Sequence, residues 1–174
     1  MINVTDRNVN LLSEGNFQID IPRLKYLNPH VTGANIPALT LPNVFIKTGL
    51  TALPNPSDNI EWASLSVSFL VDEEMHNWFE IYDWIVGLGF PESQTQFDDW
   101  MSNYKSINAG TFDDATLVVY TNKKNPAVEV TFKNIVPLYL SEVAFRTDTQ
   151  NEFLPCTVNF AVETYSYRRV SKTD

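Results

Sequence analysis

The sequence predicts a β-rich α+β domain: an antiparallel sandwich or barrel with one principal amphipathic helix. Three observations lead there. Apolar residues recur at period two in several separate segments. A single segment, about residues 73–87, carries the three- and four-residue spacing of a helix. No internal repeat, low-complexity tract or compositional break divides the 174 residues. A chain of this length buries a sizeable core without staples, and four Trp, seven Tyr and eleven Phe are ample to fill one. One domain therefore spans residues 1–174, with the polar stretch 1–15 as an extended N-terminal arm.

The elements follow in order. Phe17-Gln-Ile-Asp-Ile21 puts Phe17, Ile19 and Ile21 on one face of a strand that Pro22 ends. Between residues 29 and 56 stand five prolines, at 29, 37, 42, 54 and 56, each lacking a backbone donor. Strands there must be short or at edges. Residues 44–48 are the best of them, and 53–57 reads as a loop. Leu65, Val67, Phe69 and Val71 then alternate with Ser64, Ser66 and Ser68, a strand with one buried face. Asp72-Glu73-Glu74 supplies a helix start where the macrodipole favours carboxylates. Met75, Trp78, Phe79, Tyr82, Ile85 and Val86 form the apolar arc, opposite His76, Glu80 and Asp83, and Gly87 and Gly89 end the helix. Burial of that arc predicts a cost of about 3–5 kcal/mol for Phe79→Ala.

Residues 90–113 form a polar connection with a short helical turn near 98–104. Four strand candidates follow, at 115–121, 128–133, 138–145 and 156–167. The turns at 122–126 and 148–151 make hairpins of the first and last pairs.

Charge and chemistry exclude more than they suggest. Twelve basic residues against 21 acidic ones leave a net charge of −9, which disfavours a protein that grips phosphate backbones. Cys156 is the only cysteine, so no internal disulfide forms, as expected of a reducing compartment. No leader is visible in the first 20 residues, and no apolar run approaches the roughly 20 residues of a membrane span. A soluble protein made in a cytoplasm is expected.

His30 lies in a Pro-containing loop. His76 has Glu80 at i+4, a weak two-ligand metal signal that a solvated helix face explains as well. Cys156 is in phase with the apolar face of its strand and reads as a core residue rather than a nucleophile. The pairs Glu73-Glu74, Asp98-Asp99 and Asp113-Asp114 diverge on helix or strand, so none is a catalytic dyad alone. Asp98-Asp99 and Asp113-Asp114 could meet as a two-carboxylate hydrolase only across separate loops. Lys123-Lys124 and Arg168-Arg169 read as solvated charge at a hairpin tip and a strand end. No phosphate-binding, nucleophile-elbow or zinc motif occurs. No catalytic, cofactor or metal site is expected.

Three stretches, in order, resemble the tail tube family of contractile, T4-like phages. They are Glu61-Trp62 with its strand, Asp72-Glu73-Glu74 and the helix closing on Asp83-Trp84; Val130-Thr-Phe-Lys-Asn-Ile-Val-Pro137 leading into Ser141-Glu-Val-Ala-Phe145; and Asn151-Glu-Phe-Leu-Pro-Cys156 running on to Tyr165. The resemblance implies a structural, non-enzymatic β-barrel subunit of tail-tube type, without cofactors. Six copies form a ring, and rings stack into a channel through which DNA passes without being held. Partners are other copies, tail sheath and baseplate proteins, and the location is the virion tail after assembly in the host cytoplasm. Related baseplate initiator rings, a tail terminator ring and type VI secretion tube proteins are alternatives within the class. The N-terminal arm and the proline-rich segment are the expected contacts along the tube axis. Glu129, Glu163, Asp113 and Asp114 are candidates for an acidic channel face. Outside the class, a carbohydrate-binding sandwich would use Trp100, Tyr104 and Phe112.

Overall fold

A computed structural model describes residues 12–49, 51–89, 95, 111–147 and 153–170. Eleven strands and one long helix are found among them. The strands are β1 (Phe17–Asp20), β2 (Val31–Ala34), β3 (Leu39–Thr40), β4 (Asn43–Thr48), β5 (Thr51–Pro56), β6 (Glu61–Trp62), β7 (Leu65–Leu70), β8 (Asp113–Tyr120), β9 (Pro126–Leu140), β10 (Pro155–Ala161) and β11 (Thr164–Arg169). The helix α1 spans His76–Gly89. Every pairing is antiparallel. The β-rich α+β reading holds.

The spine is β9. Its first part pairs with β8 on one side and β11 on the other, and its last residues pair with β10. It thus belongs to two layers, one ordered β1-β8-β9-β11 and the other β9-β10-β7-β2. The strands expected at 128–133 and 138–145 are this one strand, and residues 141–147 leave it. The strand expected at 156–167 is instead two, β10 and β11, parted at Val162-Glu163. Both breaks belong to one corner. Asn134 takes a left-handed φ of 52°, which Asn tolerates better than most residues. Its backbone N–H donates to Asp114 Oδ1 at 3.0 Å, and its side-chain amide donates to Glu163. Glu163 N–H in turn donates to Lys133 C=O.

The core lies between the layers. Leu65, Val67 and Phe69 of β7, Val130 and Phe132 of β9, and Cys156, Val158 and Phe160 of β10 are buried at the alternate positions that period two assigns. Ile19, Ile21, Leu24 and Leu27 close one side, and Trp84 packs against Phe160 from α1.

The helix corrects three expectations. It begins at His76, so Glu73 and Glu74 stand in the preceding turn, where Met75 takes a φ of 57°. Gly87 is a buried helix residue rather than its terminator. The buried face is Asn77, Ile81, Trp84 and Gly87, whereas Phe79 and Tyr82 are 47% and 44% exposed. The physical reason is Asn77. Its amide Nδ2–H donates to Leu70 C=O at 2.8 Å, and its Oδ1 accepts Asp72 N–H at 3.3 Å. This pins the helix entry to the end of β7 and leaves Phe79 and Tyr82 outward, while Trp78 and Ile85 of the expected arc do pack against the core.

A further correction concerns residues 53–57, expected as a loop. They lie mostly in β5, paired with β4 around Gly49, whose φ is +52°. The proposed helical turn near 98–104, the turn at 148–151 and residues 1–11 of the arm lie outside the described residues.

Candidate assembly surface

Residues 31–70 form one long two-stranded ribbon. It leaves the sandwich at β2 and β7, continues through β3 and β6, and ends in the β4–β5 hairpin. Cross-ribbon bonds fill the gaps between the strands: Asn35 N–H to Ser66 C=O, Ala63 N–H to Ala38 C=O, and Ser57 N–H to Pro42 C=O. The ribbon is anchored at its base. Tyr165 of β11 donates its hydroxyl to Pro37 C=O at 3.0 Å, and Trp62 packs edge-on against the Tyr165 ring at 4.7 Å. The acidic–Trp pair at 61–62 therefore fixes an arm to the sandwich.

Beyond that anchor the apolar residues face outward. Val44 and Phe45 are each 62% exposed, Leu53 is 57% and Ile46 is 50%. Alternation sends Val44, Ile46 and Leu53 to one side and Phe45, between Asn43 and Lys47, to the other, so both faces of the hairpin carry exposed apolar side chains. A lone hairpin is marginally stable in water, and clustered exposed apolar side chains mark interaction sites. The sequence signal was the unbroken run Val44-Phe-Ile46, which has no polar alternation.

On α1, Phe79 and Tyr82 are exposed. The half-buried Trp78 stacks on Tyr82 at 5.3 Å, with Phe79 edge-on to it at 5.5 Å.

The titratable candidates do not converge. The His76 ring stacks on Tyr26 at 5.1 Å and lies 3.6 Å from Asp72 and 3.3 Å from Glu74. Glu80 turns away from it, to accept Tyr26 N–H at 3.1 Å. Burial pushes the Glu80 carboxyl above its ordinary value, against the opposing pull of the backbone donors of Tyr26, Leu27 and Lys25. Among the described residues no three His, Cys, Asp or Glu side chains are placed to share a metal. His30 bonds to Tyr26 C=O, and Cys156 is buried beside Ser141.

Each of the four carboxylates considered for a channel face has a partner within the fold. Asp113 accepts Arg23 N–H at 3.1 Å, with the Arg23 guanidinium 4.4 Å over Trp84. Asp114 and Glu163 hold the Asn134 corner. Glu129 pairs with Arg168 at 2.6 Å. Lys123, Lys124 and Arg169 are exposed, as is Phe112. Asp98, Asp99, Trp100 and Tyr104 lie outside the described residues.

No protein-family model matches the chain. Over 165 residues it is 26% identical to the tail tube terminator protein of Enterobacteria phage T4, an alignment covering 90% of this chain and 87% of that one. Its fold is that of the tube proteins of contractile systems. The cap terminating the tube of the anti-feeding prophage superposes with a TM-score of 0.65 at 13% identity, covering 96% of this chain and 99% of that one. A chain of the sheath/tube terminator complex of an extracellular contractile injection system gives 0.58 at 12% identity, covering 91% and 97%. Hcp1 of Salmonella typhimurium gives 0.51 at 11% identity, covering 91% and 89%. The chain thus resembles tail tube proteins in both sequence and fold.

Proposed function

We propose that this chain is a non-enzymatic structural subunit that terminates the tube of a contractile phage-type tail. The observation that carries the reading is similarity to a tail tube terminator along nearly the whole of both chains. It favours the end-ring alternative over the repeating tube subunit that the family resemblance suggested first. The fold supports it: a rigid sandwich, Trp84 and Phe160 at its centre, bears one anchored arm whose apolar side chains have no place in the monomer's core.

Six copies close into a ring that sits on the end of the tube and meets the sheath around it, within the virion tail. Assembly takes place in the host cytoplasm. Duplex DNA passes through the opening without specific binding. A ring of six carries a charge of about −54 from the chain's −9, and such a surface repels phosphate rather than holding it. With Asp113, Asp114, Glu129 and Glu163 paired inside the fold, the acidic character is collective rather than owed to those four.

Negative-stain microscopy of the purified protein tests the reading. Single six-fold rings that do not elongate are expected. Long tubes of the protein alone would restore the repeating-subunit alternative, and micromolar, salt-dependent retention of duplex DNA would remove the conduit.

A further inference from the structure

The arm's two edges are chemically unlike, and this follows from register. A two-residue connection closes the hairpin between Thr48 and Thr51, so that pair occupies a hydrogen-bonded position. Ser57 N–H donating to Pro42 C=O at 2.8 Å fixes the same parity from the other end. Val44↔Asn55 and Ile46↔Leu53 are then hydrogen-bonded pairs. Asn43↔Pro56, Phe45↔Pro54 and Lys47↔Ala52 are the pairs whose backbone groups point away from each other. On β4 the outward groups are the N–H and C=O of Asn43, Phe45 and Lys47, a complete edge. On β5 the outward positions are Ala52, Pro54 and Pro56, and two of those three have no N–H. Proline at such positions costs the hairpin no internal bond and blocks the edge to another strand.

We infer that the arm joins its partner by strand addition on the β4 side alone, with Pro54 and Pro56 sealing the β5 side so that the shared sheet stops there. The occupant is a free sheet edge of the neighbouring tube-fold subunit, an extended strand with open N–H and C=O groups at alternate residues and apolar side chains to cover Val44, Ile46 and Phe45. A two-stranded arm with exposed apolar side chains on both faces becomes a three-stranded sheet on docking. Another copy's hairpin cannot serve in an open series, because pairing β4 to β5 needs donors that β5 lacks. Pairing β4 to β4 is two-fold and ends after one contact. Strand addition is thus one-sided, which is what an end piece requires of its contacts. The inference rests on the terminator reading and deepens it.

The decisive variant is Pro54→Thr with Pro56→Thr, which restores two outward donors and touches no hairpin hydrogen bond. Sedimentation velocity over a range of loading concentrations should show the natural protein as a closed species of fixed mass. The double variant should gain mass continuously with loading, and adding Phe45→Pro, which removes an outward β4 donor, should abolish that growth. Near-ultraviolet circular dichroism checks that each variant keeps its fold. A double variant that sediments like the natural protein overturns the inference, as does growth that survives Phe45→Pro. A density map of the intact tail end provides the second measurement. It should show a partner strand about 4.8 Å from β4 and none beside β5, and a strand beside β5 overturns the inference even if the association series succeeds. Single six-fold rings together with any of these overturning results would leave the terminator function standing and the sealed edge disproved. Long tubes of the natural protein would fail the function itself.

Discussion

The sandwich and the arm are built from the same kind of strand, yet they place their apolar residues oppositely. In β7, Leu65, Val67 and Phe69 point into the core, and Ser66 and Ser68 point out to meet Gly33, Asn159 and Thr157 across the sheet. In β4 the run Val44-Phe45-Ile46 puts apolar side chains on both faces, and all three are exposed. Side chains that only have to fold one copy are hidden within that copy. Those exposed on the arm make sense only once something else covers them. Stability and the proposed assembly contacts therefore reside in different parts of the chain, and substitutions should separate them.

The largest effect is expected in the sandwich. Phe132 is fully buried where β9 pairs with β8 and β11, and Phe132→Ala should cost about 3–5 kcal/mol in urea unfolding. A loss below about 1 kcal/mol would place this side chain outside a close-packed core. Next comes Asn77→Ala, which strips the partners from Leu70 C=O and Asp72 N–H at the helix entry. A loss of about 1–3 kcal/mol is expected, the cost of burying polar groups unpaired. An arm carrying Phe45→Ser and Ile46→Ser should unfold within about 0.5 kcal/mol of the natural protein, while ring docking or tail completion fails. Equal damage to stability and assembly would erase the distinction between the two regions. Phe79→Ala, on the exposed side of α1, should also stay within about 1 kcal/mol, against the 3–5 kcal/mol its helical spacing alone suggested.

The smallest effect is a slope. Because burial raises the Glu80 carboxyl, the folded chain holds that proton more tightly than the unfolded one. Its contribution to stability is then greatest below the ordinary carboxylate range, and declines as pH rises from there through the raised folded value. Glu80→Gln removes this decline, so the variant should gain on the natural protein as pH rises through that window. Urea midpoints across a pH series check it, and a variant that loses ground to the natural protein with rising pH would contradict the sign.

Much of the sandwich was legible in the sequence because alternation is a local signal that burial on one face enforces. Phe17 to Ile21, Leu65 to Val71 and Cys156 to Phe160 all read correctly on that basis. Helix rotation was not legible, since Phe79 and Tyr82 satisfy the apolar spacing as well as Ile81 and Trp84 do. What decided between them was a bond from Asn77 to a carbonyl seven residues back. The corner was half visible, as the gap between the strand candidates at 128–133 and 138–145. That β9 runs on through it and joins two layers depends on Asn134 meeting Asp114 and Glu163, which are distant in sequence. The arm was misjudged in part because proline was read as breaking strands. At outward-facing edge positions it breaks nothing.

The unbroken path from arm to sandwich also determines how the molecule bears force. A pull on the tip at Gly49 runs down the ribbon into β7, along that strand's own axis. The β7–β10 ladder from Leu65↔Phe160 to Leu70↔Pro155 is then loaded in shear, its hydrogen bonds resisting together rather than opening one after another as in a zipper. The Tyr165 hydroxyl on Pro37 and the Trp62 ring behind it divert part of the tension to β11 before it reaches the core. With the arm as the proposed attachment point, a load on its tip enters the sandwich along the direction in which the β7–β10 ladder resists it best.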